Sequence, residues 1–272
     1  MYCNQPAGFL RSRHRECEDA HIRATRQIGE LVLSAVRGAT PTAGLPARIQ
    51  ALAAPAHVNA ANVKNMAVTG WEKGVELFLN DGNLDSAEEA RLVEVAGALG
   101  YGQEQLNRNG YYVKVTKAAV LRDVMGGSTT SRVNVTNHPF NLQKAENIIW
   151  LFNGVEYSED KVRREFVGGS RGVSVRIMKG VYYRVGDYRG HTVERTERVV
   201  LDRGSLALTQ KHVYFAGAGG KSFRVAYQKI VSFMPYSDGF GIVRDAASAK
   251  PQVFATGDGW FSYNLVTNLA RL

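Results

Sequence analysis

The chain of 272 residues contains 44% hydrophobic and 22% charged residues, which is ordinary for a globular protein and excludes an intrinsically disordered one. No apolar run is long enough to span a bilayer, and the first residues lack the apolar core of a secretion signal. The formal net charge is +9, and residues 138–272 hold most of it, with 19 Lys and Arg against 12 Asp and Glu. We therefore expect a cytoplasmic protein, or one peripheral at the inner membrane face, whose basic surface attracts nucleic acid, anionic lipid or an acidic protein.

Both cysteines and two of the six histidines lie in the first 21 residues, in the segment CNQPAGFLRSRHRECEDAH. On a helix, the spacing of His14, Cys17 and His21 places the three residues on one face, and Cys3 lies upstream across a PAGF turn. Two thiolates and two imidazoles suit tetrahedral zinc with no open position. We predict a structural zinc site in a finger-like segment, residues 1–25. The alternative is a basic arm without metal, because a finger usually opens with a CxxC pair and here one cysteine stands alone.

Apolar residues recur at helical spacing between residues 26 and 130, and this pattern predicts a helical domain over residues 26–130. Gly38 is expected to stop the first helix. Ser86 and Glu89 have the spacing of a capping box at the start of a later helix, and Gly100 is expected to end that helix.

After about residue 130 the chain consists of short segments rich in β-branched and aromatic residues, separated by Gly, Asp, Ser and Asn. This pattern predicts an antiparallel β domain over residues 138–272, with a hairpin turn at SDG, residues 237–239. Two glycine-rich stretches, residues 167–172 and 216–222, are expected to be hairpin turns rather than phosphate loops. Asp258 is expected to cap a final amphipathic helix. The fold class is therefore α+β, with a zinc-finger-like segment and a helical domain before the β domain.

Basic residues interleave with tyrosines in the first part of the β domain, where alternate residues of a strand share one face. Arginines in such a place bind phosphates, and the alternative is a solvated outer face. The candidate binding surface consists of Lys161, Arg163, Arg164, Arg171, Arg176 and Arg184.

A catalytic constellation is not expected. The four histidines outside the first segment have no neighbouring motif that supplies a base partner, and most aspartates of the β domain stand at expected turns. These isolated histidines are His57, His138, His191 and His212.

Two parts of the chain resemble known families. The segment DGNLDSAEEARLVEVAGALG resembles the helical domain of TerB-like tellurite-resistance proteins, in which a turn of the form DG-x-L-x-x-x-EE separates two helices. The segments LALTQKHVYFAG, KSFRVAYQKIVSF, YSDGFGIVRD and PQVFATGDGW resemble bacterial pleckstrin-homology-like (PH-like) or GRAM-like domains. The whole chain looks like bacterial and prophage proteins that begin with a CxxC…HxxC-type finger, and the missing first cysteine departs from that pattern.

The resemblance implies a binding protein of the cell interior, in a stress-related or phage-related system. PH-like domains bind lipid head groups, peptides or proteins through loops at one end of the barrel, and Lys161, Arg163 and Arg164 partly meet the basic pattern of their first hairpin. We expect a non-enzymatic adaptor that docks on a protein partner or an anionic membrane. The alternatives are a nucleic-acid-binding protein that uses the finger and the basic strands, and a cryptic hydrolase.

Overall fold

The computed structural model describes residues 14–178, 181–247 and 250–272, and for residues 161–178 and 181–196 it describes the backbone alone. The chain divides into two compact units, a helical unit that ends at Ser128 and a second unit that begins at Thr129. The second unit contains an antiparallel sheet and a C-terminal helix, so the α+β class predicted from the sequence is confirmed at this level. None of the described helices is both long and apolar enough to cross a lipid bilayer.

The described part of the first unit contains six helices. They are α1 (Arg15–Val36), α2 (Leu45–Ala53), α3 (Ala60–Phe78), α4 (Ser86–Leu99), α5 (Gln103–Leu106) and α6 (Tyr111–Met125). Helix α1 continues without a break across residue 25, where the sequence suggested a boundary between two segments.

The ends of α4 lie close to where the sequence placed them. Asp85, not Ser86, is the N-cap, because its carboxylate accepts a hydrogen bond from the Glu88 backbone N–H at 2.7 Å. The Glu88 carboxylate returns a bond to the Asp85 N–H at 3.0 Å, so the capping box is shifted by one residue from the predicted pair. Gly100 ends the helix with a φ of 68°, as expected from the sequence.

The core of the helical unit is built where α1 crosses α3. Ile28 and Val32 of α1 are completely buried, and Trp71 of α3 is 2% exposed. The indole N–H of Trp71 donates to the backbone carbonyl of Leu92 at 3.0 Å, which ties α3 to α4. The two helix backbones come close enough at Gly29 and Gly70 that a Cβ atom on residue 70 would lie 2.4 Å from the Gly29 carbonyl oxygen.

The second unit is a seven-stranded sheet in which all neighbouring strands are antiparallel, in the order β4-β3-β2-β1-β7-β6-β5. The strands are β1 (Ile148–Met178), β2 (Val181–Thr209), β3 (His212–Gly217), β4 (Ser222–Ala226), β5 (Ile230–Pro235), β6 (Gly239–Arg244) and β7 (Gln252–Ala255). The β5–β6 hairpin turns at residues 236–238, as predicted.

An aromatic core holds the sheet and its terminal helix, α7 (Gly259–Leu269), together. The ring centroids of Tyr157 and Phe215 lie 5.2 Å apart, and Phe261 of α7 meets Trp150 edge-on at 4.9 Å. The side chain of Asp258 accepts from the Phe261 N–H at 3.1 Å, so the predicted N-cap is confirmed.

Strands β1 and β2, with 31 and 29 residues, are far longer than the usual strand of about 5–6 residues. Strand β7 pairs with β1 only over Glu156–Glu159, and β3 pairs with β2 only over Gly204–Leu208. Beyond these stretches the described residues of β1 and β2 pair with each other alone. We call this two-stranded ribbon, residues 161–178 and 181–196, the arm.

The turn predicted at residues 167–172 is wrong, because that stretch lies inside β1. Gly168 stands opposite Gly190, and Gly172 stands opposite Gly186. Glycine is common in turns and weakens the interior of a strand, but its backbone groups can still form the hydrogen bonds of the ladder. The second glycine-rich stretch does contain a turn, between β3 and β4, as predicted.

Gly70→Ala should destabilise the helical unit by about 1–3 kcal/mol, because the added methyl group would meet the Gly29 carbonyl at the α1–α3 crossing. The matched control is Gly97→Ala on the exposed side of α4, where a Cβ meets no atom within 4 Å. We expect that substitution to stabilise the unit by up to about 1 kcal/mol through helix propensity. Urea unfolding followed by far-UV circular dichroism measures both, and equal effects would contradict the close approach of the helices.

Candidate functional site

Three of the four predicted zinc ligands lie at the beginning of α1. His14 is the N-cap residue, with extended backbone angles, and Cys17 and His21 follow on the helix. Cys17 is half-buried, whereas His21 is 8% exposed and its Nδ1 lies 3.1 Å from the Ala56 carbonyl oxygen. Nδ1 therefore carries the hydrogen and donates to Ala56, which is also how metal-binding histidines are commonly oriented.

The fourth predicted ligand, Cys3, lies outside the described residues. Among the described residues, no group of three or more His, Cys, Asp or Glu is arranged to hold a metal ion. The predicted ligand set of Cys3, His14, Cys17 and His21 includes Cys3, whose position is not described. The zinc site therefore stays a prediction.

All six predicted basic residues belong to the arm. Lys161, Arg163, Arg164, Arg171 and Arg176 lie on β1, and Arg184 lies on β2. In the ladder, Arg163 stands opposite Arg195, whereas Arg164 stands opposite Glu194 and Arg171 opposite Asp187. Residues 161–196 contain nine Lys and Arg against three Asp and Glu, so this part of the chain carries +6 of the total net charge of +9.

The base of the arm is fixed to the sheet by Arg198. Its Nε lies 3.1 Å from the Asp160 carboxylate on the opposite strand. Its guanidinium also stacks on the Tyr236 ring, 4.7 Å from the centroid, and donates to the Tyr236 hydroxyl at 3.0 Å. The arm therefore starts from a held position beside the β5–β6 turn.

A second polar cluster, which sequence reasoning missed, surrounds the buried carboxylate of Glu146. One oxygen, Oε1, accepts from His212 Nδ1 at 2.6 Å and from Thr209 Oγ1 at 3.0 Å. The other, Oε2, accepts from the Tyr214 hydroxyl and from the Gln143 backbone N–H at 2.9 Å. The Glu146 side chain is fully buried, and its four donors come from β2, β3 and the loop before β1.

The loop before β1 is held in the conformation that directs Glu146 inward. Ala145 has a φ of 63°, in the left-handed region that disfavours a residue with a Cβ. The Gln210 side chain clamps this bend, because its Nε2 donates to the Ala145 carbonyl at 2.7 Å and its Oε1 accepts from the Asn147 N–H at 2.9 Å. Side-chain bonds from the β2–β3 turn thus compensate for the backbone strain.

Burial by itself would raise the pKa of Glu146. The hydrogen bonds from Tyr214, His212, the Gln143 backbone and Thr209 outweigh this effect and lower the pKa to about 2. Glu146 is therefore ionised at neutral pH and can only accept hydrogen bonds. It follows that Nδ1 of His212 carries a hydrogen.

His212 also lines a cavity of about 460 Å³ in the second unit. Lys211, Gln228 and Thr129 supply polar groups to the wall, and Leu269 of α7 supplies apolar surface. The volume is within the range of small-molecule sites. The cavity and the oriented histidine together make a candidate ligand site.

This cluster could hardly be predicted from the sequence, because Glu146 and His212 are 66 residues apart. The usable signal was local. His212 opens a strand whose next residues are apolar, and a histidine in such a position is buried and must find a hydrogen-bond partner.

Comparison of the chain with protein-family models, with curated proteins and with solved structures finds no match.

For the metal segment we expect elemental analysis of the purified protein to find one zinc ion per chain. Cys17→Ser should remove it, because the site would lose one of two thiolates. The control is His57→Asn, since His57 lies outside the segment and its φ of 51° suits asparagine. Zinc-free protein with an ordered N-terminal segment would contradict the site.

Glu146→Gln should lower the free energy of unfolding of the second unit by about 3 kcal/mol at neutral pH, in proportion to the shift of the pKa from its ordinary 4.5 to about 2. Because the folded-state pKa is the lower one, this stabilisation is complete above pH 4.5 and is lost as pH falls toward 2. The difference between wild type and variant should therefore shrink across that window.

Urea unfolding followed by tryptophan fluorescence, to which Trp150 and Trp260 contribute in this unit, measures the difference. The exposed carboxylate of Asp245 provides the control, and Asp245→Asn should change the free energy by no more than about 0.5 kcal/mol. A pH-independent difference for Glu146→Gln would contradict the ionised, hydrogen-bonded carboxylate.

Proposed function

We propose that this chain is a non-enzymatic interaction protein that docks on an anionic membrane surface through its arm. The observation that carries the proposal is the concentration of charge, since the stretch of sequence from residue 161 to residue 196, which contains both strands of the arm, holds +6 of the net charge of +9. Near an anionic leaflet each Lys or Arg contributes about 1 kcal/mol of attraction, so the charge of the arm is sufficient for reversible binding.

The register of the arm supports an anionic partner. Arg163 and Arg195 stand directly opposite each other, and like charges in that position destabilise a ladder. A phosphate group bound between two such arginines removes the repulsion and accepts hydrogen bonds from both. The ribbon is therefore expected to gain stability when it binds an anion.

The residue types at the far end of the arm favour a membrane over a partner that is bound through charge alone. Ile177 and Met178 end β1, and Val181, Tyr182 and Tyr183 begin β2. Apolar and tyrosine residues of this kind partition into the headgroup region of a bilayer. Arg176 and Arg184 flank them in the sequence and would meet lipid phosphates.

The antiparallel sheet and the terminal helix support the resemblance to PH-like or GRAM-like domains, because several strands followed by one C-terminal helix are what that resemblance implies. Such domains bind ligands at the loops of one end, including the first hairpin. In this chain the first hairpin is β1–β2, of which the arm is the extension. Fold analogy alone is an associational argument, so the charge of the arm remains the main support.

The helical unit would supply the adaptor's second contact, with a protein partner. Its α3–turn–α4 segment supports the TerB-like resemblance, since the DGNLD turn lies between the two helices. A zinc ion held by Cys3, His14, Cys17 and His21 would stabilise the segment before α1. We place such an adaptor at the inner face of a bacterial membrane, in a stress-related or phage-related system.

Nucleic acid is the second candidate partner, and one observation favours it. The major groove of DNA admits a two-stranded β-ribbon, and the arm is a basic ribbon. Binding of that kind would weaken steeply with salt and would need no apolar residues at the end of the ribbon.

Arg163→Ala combined with Arg164→Ala should weaken binding to vesicles containing phosphatidylserine by about thirtyfold, because two contributions of about 1 kcal/mol are lost. The control is Lys229→Ala with Lys250→Ala, which removes the same charge from exposed positions of the same unit outside the arm. The control should bind nearly as wild type.

Three results would contradict membrane docking by the arm. One is equal weakening by the control variant, which would indicate a general charge effect. Another is equal binding to neutral vesicles. The third is salt-dependent retention on DNA without binding to vesicles, which would establish the nucleic-acid alternative instead.

A further inference from the structure

We propose that the cavity beside His212 binds the phosphate group of a small phosphomonoester. This site lies in the second unit at the beginning of β3 and beside α7, and it uses none of the arm residues. The proposal is therefore independent of membrane docking.

The first support is the orientation of His212. Its Nδ1 donates to the Glu146 carboxylate at 2.6 Å, which fixes the ring, and its side chain is 11% exposed. The other ring nitrogen, Nε2, has no hydrogen-bond partner among the described residues, and the ring lines the cavity. One ring nitrogen is thus held in place, and the other is available to a ligand in the cavity.

The second support is the match between these groups and phosphate. A phosphomonoester near neutral pH offers both a P–OH donor and P–O⁻ acceptors. It can therefore pair with Nε2 of His212 whether that nitrogen accepts or donates. Lys211 lines the same cavity, and its ammonium would supply the positive charge that the remaining phosphate oxygens require.

The carboxylate of Glu146 does not oppose an anion here. Its side chain has no exposed surface, each of its oxygens accepts two hydrogen bonds, and Glu146 is not among the residues that line this cavity. The carboxylate of Glu146 instead holds the His212 ring, through Nδ1, in the orientation in which a ligand would find Nε2.

The size of the cavity indicates that the ligand is more than free phosphate. A volume of about 460 Å³ leaves room for an organic group beside the phosphate. Ala226, Leu269 and Ala270 supply apolar wall for that group. A small phosphorylated molecule with an aliphatic or aromatic part has both the phosphate group and the apolar group that such a cavity would accommodate.

The experiment is a titration of the labelled full chain with inorganic phosphate and with phenyl phosphate, followed through the imidazole ¹H–¹⁵N correlations of His212. His212→Gln identifies these signals among the six histidines. We expect saturable shifts with both probes and tighter binding of phenyl phosphate, because its ring would contact the apolar wall.

Lys211→Ala should weaken both probes by about tenfold, the usual effect of losing one charge-assisted hydrogen bond. The matched control is Lys221→Ala, an exposed lysine at the other end of β3. Unmoved His212 signals, or equal weakening by Lys221→Ala, would overturn the site. Vesicles with phosphatidic acid, whose head group is a phosphomonoester, distinguish the source, because Lys211→Ala lowers sedimentation with them only if the ligand is a lipid.

Discussion

The arrangement of the second unit depends on one buried charge, the carboxylate of Glu146. A fully buried carboxylate is tolerated only when donors replace the water that it has lost, and here four donors do so. They come from β2, β3 and the preceding loop, so the same interaction fastens that loop to the sheet and orients His212. The strained bend at Ala145 is the conformational cost of bringing the carboxylate inside.

The helical unit is held by a different constraint, the close approach of two backbones. Gly29 and Gly70 allow α1 and α3 to come together, and Trp71 fills the space beside the crossing while its N–H binds Leu92. This contact is apolar and sensitive to volume, whereas the Glu146 cluster is polar and sensitive to pH. Acid should therefore weaken the sheet unit through protonation of Glu146.

The two proposals concern anions at different scales. The arm presents distributed charge along a ribbon, which suits a surface or a polymer, and Arg198 anchors its base against Asp160 and Tyr236. The cavity presents one oriented imidazole and one ammonium, which suits a single small group. A ligand in the cavity would contact α7 and β3, not the arm, so the two sites would be occupied independently unless a partner covers both.

The α+β class and the division into a helical part and a β part could be predicted from the sequence, because apolar periodicity reflects which residues a helix or strand must bury. The caps at Asp258 and Gly100 could also be predicted, since Asp is a favoured N-cap residue and Gly readily takes the left-handed conformation that ends a helix. Three features needed the tertiary structure. Both Asp85 and Ser86 are suitable N-cap residues, and the structure shows that Asp85 is the cap. The glycines at 168 and 172 lie within a strand, paired with the glycines at 190 and 186, although their residue type favours a turn. Glu146 and His212 meet because strand pairing joins residues 66 positions apart, and no local pattern encodes such a contact.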